Sequence, residues 1–138
     1  MLKRVLVVVG LVGCGGAQRP IVVEAGALVA CPSSPNCVSS LADPSDEEHY
    51  IEPWASDGAT VPDLAAFLAA QRRCEVLEEG PSWVHGSCKT PLMRFTDDVA
   101  FLLDGDVLHV RSASRVGHSD LGKNRSRIED FRAAWEAR

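Results

Sequence analysis

The stretch VAFLLDGDVLHVRSAS, Val99–Ser114, decides the fold. Two apolar runs flank Asp104-Gly105-Asp106, a short glycine-containing connection that signals a β-hairpin. The first run, Val99 to Leu103, is apolar at every position, so its strand belongs in the middle of a sheet with both faces covered. Working upstream, Arg73 to Leu77 and Trp83 to Lys89 read as two more strands joined at Glu79-Gly80-Pro81, which makes a four-stranded meander. A helix is expected from Thr60 to about Arg73. Thr60 caps it, with Asp63 reaching back three residues later and Pro62 tolerated in the first turn, and Val61, Leu64, Ala65 and Leu68 form its apolar face. Downstream, Leu121 to Ala137 reads as a second helix with Ile128, Phe131 and Trp135 along one side and Arg125, Glu129, Arg132 and Glu136 toward water. Two helices packed on a mainly antiparallel four-stranded sheet, preceded by a loop-rich segment punctuated by Pro32, Pro35, Pro44 and Pro53, make an α+β domain.

A chain of 138 residues, 46% hydrophobic and 24% charged, has the balance of one globular domain rather than a disordered segment. Because 6% of the residues are aromatic, Val, Leu, Ile and Ala must fill most of the core, and each of the three tryptophans matters for packing. Charge is unevenly distributed. From Pro20 to Gln71 there is no lysine or arginine, while eight carboxylates occur; after Val107 seven basic residues face four acidic ones.

Lys3 and Arg4 followed by the apolar run Val5 to Val12 read as a secretory signal, too short to span a bilayer. Leu11-Val12-Gly13-Cys14 resembles the bacterial lipobox, so residues 1–13 are expected to be cleaved. Cys14 then carries the lipid, 14–20 form a tether and 21–138 form the folded domain. A diacylglycerol plus an amide-linked chain supplies the multiple anchors that stable attachment needs, at about 0.8 kcal/mol per buried methylene. The expected location is the periplasmic side of a bacterial envelope, and Gly15 after the lipidated cysteine favours the outer membrane. Loss of Lys3 and Arg4 leaves 12 basic against 19 acidic side chains, a formal charge of −7. Such a charge argues against nucleic acid and against broad adhesion to anionic lipid.

Four cysteines remain, and in an oxidising compartment an even count suggests disulfides, although four cysteines allow three connectivities. Cys74 and Cys88 lie symmetrically about Pro81 on the two strands of a hairpin, where a bridge has the right reach. Cys31 and Cys37 would then clip the loop CPSSPNC. A metal site using His49 as a third ligand is the alternative, but its spacing matches none of the usual zinc patterns.

The strings CPSSPNCVSS, HYIEP, FTDDVAFLL and RSASRVGHSDLGKNRSRIE, in that order from Cys31 to Glu129, resemble the family called domain of unknown function 1499, found among bacterial exported proteins and plant plastid proteins. Thr96, Ala100 and His118 depart from the family's pattern, and Cys74 with Cys88 are additions to it. The resemblance implies a shared fold and brings no activity with it.

The basic stretch Ser112 to Glu129 is the leading candidate site. Arg111 and Arg115 are four residues apart on a strand and so share a face. Together with Ser112, Ser114, His118, Asp120, Asn124, Arg125 and the amides at the start of the last helix they could hold a small anion or an envelope protein. The competing reading uses the same atoms internally, with Asp120 capping the helix and the arginines paired with Asp97, Asp98 or the acidic half of the chain. Catalysis finds less support. Adjacent Asp97 and Asp98 point to opposite faces, no serine sits in a G-x-S-x-G turn, and no Gly-rich phosphate loop, HExxH or CxxC pair calls for a cofactor or metal. A non-catalytic tethered binding or assembly module is therefore expected, with a small envelope hydrolase of an anionic substrate, built on Ser112, Ser114 or Ser119 with His118 or Asp120, as the alternative.

Overall fold

The computed structural model describes residues 19–138. The expected signal peptide, Cys14 and most of the tether lie outside the described residues. In chain order the elements are β1 (Val23–Glu24), β2 (Ala27–Leu28), β3 (Cys37–Ser39), β4 (Trp54–Ala55), α1 (Val61–Ala69), β5 (Cys74–Glu79), β6 (Trp83–Lys89), β7 (Thr96–Asp104), β8 (Val107–Ser114) and α2 (Lys123–Glu136). The meander is present as β5-β6-β7-β8, all antiparallel, with Asp104 opposite Val107 across the expected hairpin.

The main sheet has six strands rather than four. β3 pairs with Arg111–Ala113 and β4 with Val107–Leu108, both along the outer edge of β8. Segments of two or three residues have no periodicity of their own. They are strands because an unpaired β8 edge offers its N–H and C=O groups to whatever passes.

Both helices pack on one face of this sheet. Leu64, Phe67 and Leu68 of α1 and Ile128, Phe131 and Trp135 of α2 meet Val84, Val99, Phe101, Leu108 and Val110 in the main core. The other face of β7 is covered as expected, though by the β1–β2 hairpin, whose Val22 and Leu28 pack on Ala100. Asp63 accepts hydrogen bonds from the backbone N–H and the hydroxyl of Thr60, each 2.7 Å, which starts α1 where the sequence placed it. The helix stops at Ala69 rather than near Arg73; residues 70–73 form the turn into β5, with Arg73 at φ 59. α2 likewise begins at Lys123 rather than Leu121, since Leu121 and Gly122 have φ 54 and 76 and cannot continue a right-handed helix backwards. Arg132 was expected to face water. It instead donates to the carbonyls of Pro53 and Glu52 and lies over the Trp54 ring, anchoring α2 to the chain around β4.

Cys74 and Cys88 sit directly opposite each other in the β5–β6 register and are bonded, as are Cys31 and Cys37. The second bond leaves no thiolate for the metal alternative. Among the described residues no helix is long and apolar enough to cross a membrane.

Candidate functional site

Strand alternation governs what happens to the basic stretch. Ser112 and Ser114 of β8 face the helices, whereas Arg111 and Arg115 face the opposite side, so the sheet itself separates residues expected to share one pocket.

On the helix side, the fully buried Asn124 in the first turn of α2 organises a polar cluster. Its Nδ2 donates to the Asn36 carbonyl at 3.1 Å, Ser114 Oγ at 2.9 Å and Asp120 Oδ2 at 2.7 Å, while Oδ1 accepts from Ser112 Oγ at 2.6 Å. Asp120 also accepts the backbone N–H groups of Gly122 and Asn124 at 2.9 and 2.8 Å. Its carboxylate thus occupies the helix start that was expected to receive an external anion. Arg127 joins from the next turn, donating to Ser112 Oγ, to Asn124 Oδ1 and, at 2.6 Å, to Asp97 Oδ2. Arg127 and Asn36 were not among the sequence candidates. The signal for Arg127 was its spacing, three residues beyond Asn124 and therefore on the same helical face; Asn36 contributes through the distant CPSSPNC loop and left no such signal.

On the opposite face, Arg115 makes a two-pronged pair with Asp98 (Nε–Oδ2 2.8 Å, Nη2–Oδ1 2.9 Å), and His85 Nε2 lies 2.8 Å from the same Oδ1. Arg111 is buried and donates Nε to the Val29 carbonyl at 2.7 Å. Burial lowers its pKa, with the Asp98 charge opposing. Arg125 donates to the carbonyls of Glu47 and Glu48, and His118 is exposed on the turn after β8. The expected convergence of guanidinium groups with turn amides does not occur. Each arginine of the stretch is tied to a partner inside the protein, and Ser112, sealed from solvent, is out of reach of any substrate.

Burial alone would raise the Asp98 pKa, but the hydrogen bonds from His85 and Arg115 outweigh it and hold the carboxyl below its ordinary value. A folded pKa below the unfolded one means that the stabilisation is complete above the ordinary aspartate range and is lost as pH falls through the lowered value. Urea unfolding across an acidic pH series should therefore show a steeper loss of stability for wild type than for Arg115→Gln. Parallel curves would refute that assignment.

A sizeable hollow lies elsewhere. A cavity of about 640 Å³ opens between the β1–β2 hairpin and the turn after β3, lined by the apolar Leu28, Ala30 and Leu41 and by the polar Asp43, Asp46 and His49. His49 Nε2 faces the Ser34 carbonyl at 3.0 Å and Nδ1 faces Asp46 Oδ2 at 2.8 Å. Two acceptors, the carbonyl first and the carboxylate second, favour the doubly protonated ring and raise its pKa against the cost of burial. The disulfide Cys31–Cys37 borders the same hollow.

The family model described as "Protein of unknown function (DUF1499)" matches residues 27–135. The chain belongs to this family. The DUF1499 match takes in the disulfide loop, the cavity, the whole main sheet and nearly all of α2, so both polar clusters and the hollow lie within the family's domain. No match to the chain was found among curated proteins or solved structures.

Proposed function

We propose that the protein is a non-catalytic binding module, lipid-tethered at Cys14 to the periplasmic side of a bacterial envelope, at the outer membrane. Its ligand occupies the cavity beside Cys31–Cys37. The observation that carries this reading is the cavity itself: about 640 Å³, within the usual range for small-ligand sites, with both apolar residues and the carboxylates of Asp43 and Asp46 in its lining. It is built by a stretch of chain, 20–71, that contains no lysine or arginine. The matching ligand has a small apolar body with a cationic end, either a free molecule or a side chain of an envelope protein. This is opposite in sign to the anion expected from the basic stretch, whose arginines are consumed internally. Support for export comes from the two disulfides, which persist in oxidising compartments. The finer claim, lipid on Cys14, rests on the sequence Leu11-Val12-Gly13-Cys14.

Two measurements test the reading. The intact mass of the protein extracted from membranes should correspond to a chain beginning at Cys14 with three acyl groups. Octylamine, as a probe, should raise the melting temperature of wild type. At about one hundred times its dissociation constant the stabilisation is about 2.7 kcal/mol. Ala30 is exposed at the cavity wall, so Ala30→Trp should leave the unliganded protein within about 0.5 kcal/mol of wild type while abolishing the octylamine shift. An equal shift in both proteins would place the ligand somewhere else.

A further inference from the structure

The connections of the meander gather at the two ends of the sheet, and the two ends differ in charge. At one end, residues 70–73 before β5, 89–95 between β6 and β7, and 115–123 after β8 are drawn together by Lys89 N–H to the Arg73 carbonyl, Thr90 N–H to the Phe95 carbonyl and Arg115 N–H to the Thr96 carbonyl. Arg72, Arg73, Lys89, Arg94 and Lys123 are exposed there. The single carboxylate in these three connections is Asp120, which is turned onto the amides of α2. At the other end stand Glu78, Glu79, Asp104 and Asp106, joined by Asp57 through the neighbouring Ser56 N–H to the Asp106 carbonyl. The two sets of meander connections thus differ in the sign of their charge, while Glu47 and Glu48 flank the basic end beside Arg125.

The basic end also carries most of the exposed apolar surface. Leu92 (93%), Met93 (71%), Phe95 (48%), Val116 (60%) and Leu121 (90%) are five of the eight large apolar side chains that stand exposed among the described residues. Leu121 and Arg94 hold positive φ, 54 and 52. A non-glycine residue in that region costs about 1 kcal/mol, and Leu121 recovers nothing by packing inside the domain.

We propose that this end of the sheet is a membrane-docking tip, in which Leu92, Met93, Phe95, Val116 and Leu121 enter the interfacial layer of a bilayer. Arg72, Arg73, Lys89, Arg94 and Lys123 meet its anionic headgroups. Apolar side chains ringed by cations are what the headgroup boundary of an anionic membrane accommodates. The acidic end is thereby turned away from the surface. The proposal deepens the tethered reading and rests on it, since a short tether keeps the domain within reach of the bilayer. It adds an orientation: the sheet stands on end, with the acidic connections toward the aqueous phase.

The test uses the full-length protein extracted from the membranes of an expressing bacterium and reconstituted into vesicles of phosphatidylcholine alone or mixed with phosphatidylglycerol. Leu92→Trp places an indole on the tip, and wild type provides the background because Trp54 and Trp135 are buried and Trp83 begins β6 at the opposite end. The expected result is strong quenching of the introduced indole by lipids brominated in the acyl chain when phosphatidylglycerol is present, and weak quenching without it. Adding Arg94→Gln should reduce the ratio of inserted to free tip about fivefold, the share of one basic side chain near an anionic surface. Quenching no greater than that of wild type, or equal in both kinds of vesicle, overturns the proposal. In the first case an indole still open to aqueous iodide would indicate an acidic protein partner instead. The mass of the Cys14 peptide is read on the same sample. Acylation without quenching sinks the docking tip and spares the tether; quenching without acylation does the reverse.

Discussion

Replacing Arg127 by alanine is expected to lower the free energy of unfolding by about 3–5 kcal/mol, the usual cost of removing one partner from a buried ion pair. Asp97 is 1% exposed, and the Arg127 guanidinium is the cation bound to it, at 2.6 Å. Without it a carboxylate stays in the core beside Ser112 and Asn124, whose oxygens also lose the donors that Arg127 supplied. A domain of this size has only about 5–15 kcal/mol to lose. Urea denaturation followed by circular dichroism should therefore show a large drop in midpoint. The combined variant Asp97→Leu with Arg127→Met should recover much of the loss, because it removes both charges together. A fall below about 1 kcal/mol for Arg127→Ala would mean that the pair is solvated in solution and organises nothing.

Trp135→Ala should cost a comparable amount, about 3–5 kcal/mol, as large-to-small core substitutions of this kind do. Trp135 is 1% exposed, with its ring 5.2 Å from Phe67 and 6.1 Å from Trp54. Its indole N–H donates to the Ala55 carbonyl at 3.0 Å, joining the last turn of α2 to β4. Truncation opens a hole beside Phe67 and Trp54 and removes the indole donor from that carbonyl. Trp135→Phe refills most of the volume but not the hydrogen bond, so it should lie clearly between wild type and Ala. Equal losses for Phe and Ala would assign the effect to the hydrogen bond rather than to packing.

The meander was legible because its evidence is local. An apolar run, a glycine turn and a second run specify a hairpin whatever surrounds them. The capped start of α1 rests on Thr60 and Asp63 only three residues apart. The symmetric placing of Cys74 and Cys88 about Pro81 favoured their pairing without closing the other connectivities, and the register, which sets them opposite each other, made the choice. β3 and β4 were not legible. They are strands only because β8 has an open edge, and no property of Cys37–Ser39 or Trp54–Ala55 announces where that edge will pass.

The candidate site divides along the same line. That Arg111 and Arg115 share a face followed from period two, and so did the separation of Ser112 and Ser114 from them, although the basic stretch as a whole invited a single pocket. Asp98 as the partner of Arg115 was one of several carboxylates within the competing reading, and the sheet register selected it by placing Asp98 beside Ala113.

By itself the sequence determined the α+β class, the order of the long strands and helices, and the family. Each depends on interactions between residues near in the chain or on strings of residues that recur together. Tertiary structure alone decided which face each charge occupies relative to distant elements, that the arginines end in internal pairs, and that the cavity forms beside His49 rather than beside Arg111. Those outcomes depend on contacts across tens of residues, such as Asn36 with Asn124 and Val29 with Arg111, and only the folded chain sets those distances.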